Sequence, residues 1–165
     1  QSLAFAVLSE CTSHDAGKYI ARGAFEMVMG QSMDVSTCGG AEQLTALQDY
    51  KTAALFRAAV GAGASCARAN GRQIEALLAF ASAYGMLFQI TDDILDFEGS
   101  AETLGKSVGK DAAAGKTTFV TVYGLDGAKT YAQNYAREAI KAIADAGGDP
   151  ALFLELIDYT LKRRA

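Results

Sequence analysis

Fifteen consecutive residues without a charged side chain, Ala76 to Ile90, pass straight into Thr91-Asp92-Asp93-Ile94-Leu95-Asp96. A helix that is apolar almost all round has to be covered on every side, so the segment from about Arg72 to Phe97 is predicted to be the central helix of a bundle. The uncharged part also holds Ser82, Tyr84, Gly85 and Gln89, and is shorter than the roughly 18–20 apolar residues of a membrane span. It is therefore expected to be a core helix, with no membrane span.

The flanking sequence follows the same period. Leu3–Glu10 reads as the end of a helix entered midway, and 15–33 as a second, with Ile20, Ala24, Met27 and Val28 at helical spacing. The Gly39-Gly40 pair marks a break. A short helix is predicted from Ala41 to Tyr50 and another from Thr52 to Cys66, the latter packing through Leu55, Ala59, Val60 and Gly63. Residues 98–115 read as a loop rich in glycine and lysine, 117–123 as a helix start, and 127–146 and 150–163 as two amphipathic helices. One proline, no tryptophan and no alternating apolar pattern leave an all-α helical bundle as the fold class, with residues 1–165 in a single domain.

Composition removes several chemistries. A formal charge of −4 leaves no broad basic face for nucleic acid. Cys11, Cys38 and Cys66 are odd in number and widely spaced, which disfavours a disulfide framework or structural zinc. They read as buried free thiols of a reducing, cytoplasmic compartment. His14, the only histidine, lies in a polar stretch and makes a Ser-His-Asp triad or a paired-histidine metal site remote.

The acids at the end of the central helix carry the chemistry. Asp92 and Asp96 stand one turn apart on one helix face, and Asp93 is the i+3 neighbour of Asp96. Like charges at this spacing repel, and partial burial worsens the clash, unless a cation sits between them. Mg²⁺ suits the position because it takes one or two carboxylates and completes its shell with water and phosphate oxygens. Lys106, Lys110 and Lys116 follow among glycines that permit close backbone approach, as binding of a metal-bridged diphosphate requires. Lys51-Thr52, at the expected start of a helix, offers an ammonium, a hydroxyl and free helix N–H groups to an anion.

Phe88-Gln89-x-x-Asp92-Asp93-x-x-Asp96, then Gly105-Lys106, Gly109-Lys110-Asp111 and Gly115-Lys116-x-Thr118, resembles the second aspartate-rich region of the trans-isoprenyl diphosphate synthases. Gly30-Gln31-x-x-Asp34 and Tyr50-Lys51-Thr52-x-x-Leu55 match upstream motifs of that family, in order. The similarity is strongest to bacterial farnesyl and geranylgeranyl diphosphate synthases. It implies a Mg²⁺-dependent prenyltransferase, an allylic diphosphate and isopentenyl diphosphate as substrates, and a homodimer. In such enzymes the allylic diphosphate ionises, the isopentenyl double bond attacks the cation, and a proton is lost.

Carried over by position, the resemblance assigns Asp92, Asp93 and Asp96 to the metal, with Asp92 the direct ligand. Lys51 and Lys106 hold the allylic diphosphate, Thr52 and Gln89 face the developing cation, and Lys110 and Asp111 order the loop over the site. The first aspartate-rich motif of the family, with its arginine pair, is not in this sequence. The resemblance therefore implies roughly the C-terminal half of a synthase, without its N-terminal helices and inactive in chain elongation by itself. Small residues (Ala53, Ala54, Gly61, Gly63) would permit a dimer, and Lys162-Arg163-Arg164 either reaches a substrate phosphate or is solvated. Three alternatives are a class I terpene synthase, whose second metal motif is not found here, a non-catalytic partner subunit, which would not need the acids and lysines, and a plain helical module with a solvated acidic end.

Overall fold

The computed structural model describes residues 2–10, 13–36, 41–104 and 117–163. These form helices α1 (Ser2–Ser9), α2 (His14–Ser36), α3 (Ala41–Gln48), a π-helical turn (Asp49–Ala53), α4 (Ala54–Cys66), α5 (Gly71–Leu104), α6 (Phe119–Ala146) and α7 (Ala151–Lys162), with no strand among the described residues. The all-α expectation holds. The loop expected over 98–115 begins later than predicted, because α5 continues to Leu104; residues 105–116 lie outside the described part.

Local chemistry starts the two longest helices. Asn70 and Gln73 exchange hydrogen bonds at 3.0 Å in each direction, a reciprocal cap that satisfies two donors at the start of α5. Thr118 and Thr121 do the same for α6, with Thr121 N donating to Thr118 Oγ1 at 3.1 Å and Thr118 N to Thr121 Oγ1 at 2.8 Å. Gly124, at φ 72°, breaks α6 after its first turn.

The core lies between α5 and α6. Phe80, Tyr84, Leu87, Ile90 and Ile94 of α5 are buried against a seam of Ala128, Ala132, Ala136, Ala139 and Ile143 on α6. Alanines at steps of three and four let the two axes approach while α5 supplies the bulk. By length and composition alone, Gly71–Gly99 is long and apolar enough to cross a bilayer, further than Ala76–Ile90 suggested. Half of its most apolar window is buried inside the chain, as expected of a core helix.

α3, the π turn and α4 form one unbroken helical rod. Gln48 and Ala54 keep right-handed helical dihedrals, and Ala54 N bonds to Asp49 O, five residues back. Lys51 and Thr52 therefore do not begin a helix and have no free helix N-terminus, contrary to the sequence expectation. The wide turn is gripped by two glycines. A Cβ on Gly30 of α2 would lie 2.4 Å from Lys51 N, and one on Gly85 of α5 would lie 2.7 Å from Ala53 Cα. Only hydrogen at these positions lets both helices close on the turn.

The packed face of α4 also differs from expectation. Ala54, Ala58, Gly61 and Ala64 are buried, while Leu55, Ala59 and Gly63 are exposed and Val60 is half-buried. Gly23 of α2 fits against Ala58 and Ala54, and Gly61 against the Tyr19 ring. The small residues offered for a dimer, Ala53, Ala54 and Gly61, are thus consumed by intrachain packing. Cys66 is a free, exposed thiol rather than a buried one; Cys11 and Cys38 lie outside the described residues.

A polar network locks α2, α4 and α5 together. The Arg57 guanidinium reaches Asp49 Oδ1 at 2.5 Å, Glu26 Oε2 at 3.4 Å and Ser82 Oγ at 3.4 Å. Burial pushes the Glu26 carboxyl up, but hydrogen bonds from Arg22 and Arg57 outweigh it and hold the group below its ordinary value.

Three substitutions check this packing and its polar network. Gly85→Ala should destabilise the chain by about 1–3 kcal/mol in urea unfolding. Gly63→Ala, with nothing within 4 Å of its Cβ, should be neutral or stabilising by up to about 1 kcal/mol. Glu26→Gln should cost stability at neutral pH, where the ion pairs are formed. Because the folded carboxyl sits below its unfolded value, that cost should shrink as pH falls through the carboxylate range.

Candidate active site

The acidic end of α5 is fixed by a chain of hydrogen bonds that starts on the π turn. Thr52 Oγ1 donates to Gln89 Oε1 at 2.8 Å, and lies 3.4 Å from Gln48 Oε1. Gln89 Nε2 donates to Asp93 Oδ1 at 2.9 Å, and Phe119 N donates to Asp93 Oδ2 at 2.9 Å. The carboxylate of Asp93, 5% exposed, thus has both oxygens engaged by two other groups of the chain. It ties α5 to the first turn of α6 and, through Gln89, to the rod carrying Lys51. The direction of each bond follows from Asp93 being acceptor-only when ionised, which sets the orientation of the Gln89 amide.

Fixing Asp93 inward decides where its neighbours go. Asp92 is half-buried and Asp96 exposed, one helical turn apart on the outer side of α5. Burial pushes the Asp92 carboxyl up, Arg163 pulls it back, and Asp96 raises it again; the net direction is up. A partly desolvated carboxylate facing a second acid favours a cation between them. The donor set is hard oxygen, one or two carboxylates, which fits Mg²⁺. No group of three or more acids, histidines or cysteines placed to hold a metal ion is found among the described residues.

Lys51 is held by Asp34 of α2, Nζ to Oδ2 at 2.5 Å, with the ammonium side chain about one-fifth exposed. The Gly30-x-x-x-Asp34 spacing explains both ends of this contact. Gly30 admits the turn, and Asp34 one helical step later receives its lysine. Asp92 is met by Arg163, at the end of α7, whose guanidinium also donates to Phe88 O at 3.1 Å and lies 4.4 Å from the Phe88 ring centroid.

The structure therefore brings together Lys51, Thr52, Gln89, Asp92, Asp93 and Asp96 at one end of the bundle. Lys106, Lys110 and Asp111 lie outside the described residues. Two participants were not singled out from sequence in their observed roles. Asp34 was noted only as part of a motif, and its lysine lies 17 positions away. Arg163 was expected either to reach a substrate phosphate or to be solvated, since nothing local signals that α7 docks beside α5.

The family model described as polyprenyl synthetase matches residues 1–150. The chain is 40% identical over 146 residues to a chloroplastic geranylgeranyl pyrophosphate synthase of Catharanthus roseus, covering 86% of this chain and 41% of that protein. It is 36% identical over 180 residues to the farnesyl diphosphate synthase of Escherichia coli, covering 99% of this chain and 60% of that one. A polyprenyl synthase from Caulobacter crescentus, crystallised with calcium and isoprenyl diphosphate, superposes with a TM-score of 0.84 at 26% identity, covering 98% of this chain and 63% of that one. This chain thus spans about two-fifths to three-fifths of the length of these two sequence relatives.

The different duties of neighbouring acids can be separated. Asp93→Ala should lower stability by about 2–3 kcal/mol by orphaning the Gln89 amide and the Phe119 N–H. Asp96→Ala should change it by about 0.5 kcal/mol or less, since its carboxylate is exposed. Urea unfolding of the two variants checks the contrast.

Proposed function

Since the chain belongs to the polyprenyl synthetase family, we propose that it carries part of the active site of a prenyltransferase. The reaction joins an allylic diphosphate to isopentenyl diphosphate and gives a longer linear prenyl diphosphate. The observation that carries this reading is the split within Asp92-Asp93-x-x-Asp96: one acid braces the site from inside while two face outward, Asp96 exposed and Asp92 half-buried beside Arg163. The named relatives are diphosphate synthases, which favours this reading over a terpene synthase or a non-catalytic partner.

Asp92 and Asp96 would hold Mg²⁺ directly or through water, and Asp93 would keep α5 in register for them. Bound there, Mg²⁺ would supply Lewis-acid stabilisation of the departing diphosphate. Lys51 would grip the allylic diphosphate by exchanging its Asp34 contact for phosphate oxygens, with Lys106 as a second ammonium. Lys110 and Asp111 would order the segment above. Gln89 Oε1 accepts from Thr52 with one lone pair and keeps the other for the allylic cation. The Thr52 oxygen has the same capacity, so both dipoles can stabilise positive charge away from water. The apolar wall formed by Phe56, Tyr84 and Phe88, with ring centroids 5.3 and 5.5 Å from Phe56, would limit quenching by solvent.

A homodimer and a cytoplasmic location are further parts of this proposal. The exposed apolar face of Phe25, Val28 and Met29 on α2 supports the first, in place of the small-residue faces that packing consumes. The free Cys66 thiol is compatible with the second.

Titration calorimetry with inorganic pyrophosphate tests the site. Binding should require Mg²⁺, and Asp92→Ala and Lys51→Ala should each weaken it by about tenfold or more. Metal-independent binding, or binding unaffected by Asp92→Ala, would overturn the reading.

A further inference from the structure

α7 lies along α5 in the parallel sense, and three contacts at successive steps show its course. Phe153 packs edge-on against Phe80 at 4.9 Å, Thr160 Oγ1 meets the Tyr84 hydroxyl at 2.8 Å, and Arg163 reaches Phe88 and Asp92. The helix thereby points its carbonyl end, which bears partial negative charge, toward Asp92 and Asp96. That approach is unfavourable unless a cation offsets it. Lys162 is occupied with Asp158 on the exposed side, so the offset falls to Arg163.

Arg163 is engaged firmly but incompletely. One terminal nitrogen serves both Asp92 Oδ1 and Phe88 O, and the guanidinium stacks on the Phe88 ring. Its Nε is buried with no hydrogen-bond partner. A buried, unsatisfied donor on a charged group is costly, and that cost is recovered when the side chain swings into water. The backbone leaves helical geometry at Arg163, at ψ 144°, so its side-chain contact lies at the end of α7 and ties down the last helical turn.

We propose that Arg163 is an internal counter-ion for Asp92 that competes with a divalent cation for the same carboxylate, so that loading the metal releases the end of α7. This rests on Asp92 being a metal ligand. A divalent ion on the outer face of α5 would repel the guanidinium and take its partner, leaving Ile157 and the Thr160–Tyr84 hydrogen bond to hold α7 and the turn beyond them free. The device couples metal occupancy to the freedom of a segment that lies against the site.

Mn²⁺ titration of the 165-residue chain, followed by electron paramagnetic resonance, tests the competition. Arg163→Met, which keeps the apolar stem over Phe88, should tighten Mn²⁺ binding by about tenfold, and Arg163→Lys by less. In the unaltered chain, Mn²⁺ should accelerate amide hydrogen exchange over 156–163; Arg163→Met should show fast exchange there with or without the metal. Mn²⁺ affinity unchanged or weakened by Arg163→Met, or exchange over 156–163 that ignores the metal, would overturn the proposal. If Asp92→Asn fails to reduce Mn²⁺ binding, the metal-ligand reading itself is wrong, which is a separate result.

Discussion

The buried Asp93 carboxylate is the joint on which this end of the bundle turns. It accepts from the Gln89 amide on its own helix and from the Phe119 N–H at the start of the next, while Gln89 reaches across to Thr52. Three helical segments are thus keyed to one another through a single buried carboxyl group. Burying it is tolerable only because its oxygens are bonded. The rotation of α5 that this enforces leaves Asp92 and Asp96 outward. A motif of three acids resolves into a buried brace and two outward acids, one of them paired with Arg163.

The second constraint is steric. The π turn at Asp49–Ala53 widens the helical rod by one residue, and Gly30 and Gly85 admit it from opposite sides. Lys51 and Thr52 lie within this wide turn. π turns inside helices commonly mark functional positions because they redirect side chains without ending the helix. Here the redirected pair is an ammonium held by Asp34 and a hydroxyl aimed at Gln89.

Much of this was readable from residue order. The uncharged run Ala76–Ile90 correctly placed a core helix, Pro150 and the Gly147-Gly148 pair bracketed the start of α7, and helical spacing put Asp92 and Asp96 on one face. The failures have physical causes. A π turn has no periodic signature, so Lys51-Thr52 was mistaken for a helix start. On α4, alanine and glycine occur on both faces, and apolar spacing could not show that Ala54, Ala58 and Gly61 rather than Leu55 and Ala59 pack inward. The inward turn of Asp93 depends on Phe119, 26 residues away, and the Arg163 contact on the docking of the last helix. Both are tertiary facts with no local trace.

A crystal structure of the chain with Mg²⁺ and inorganic pyrophosphate examines the central claim most directly. A metal should be bound on the outer side of α5 by Asp92, Asp96 or both, at about 2.0–2.1 Å where a carboxylate oxygen binds directly. Asp93 should remain bonded to Gln89 and Phe119 N. A metal bound by Asp93 after it has rotated away from both, or pyrophosphate bound elsewhere on the bundle, would contradict it.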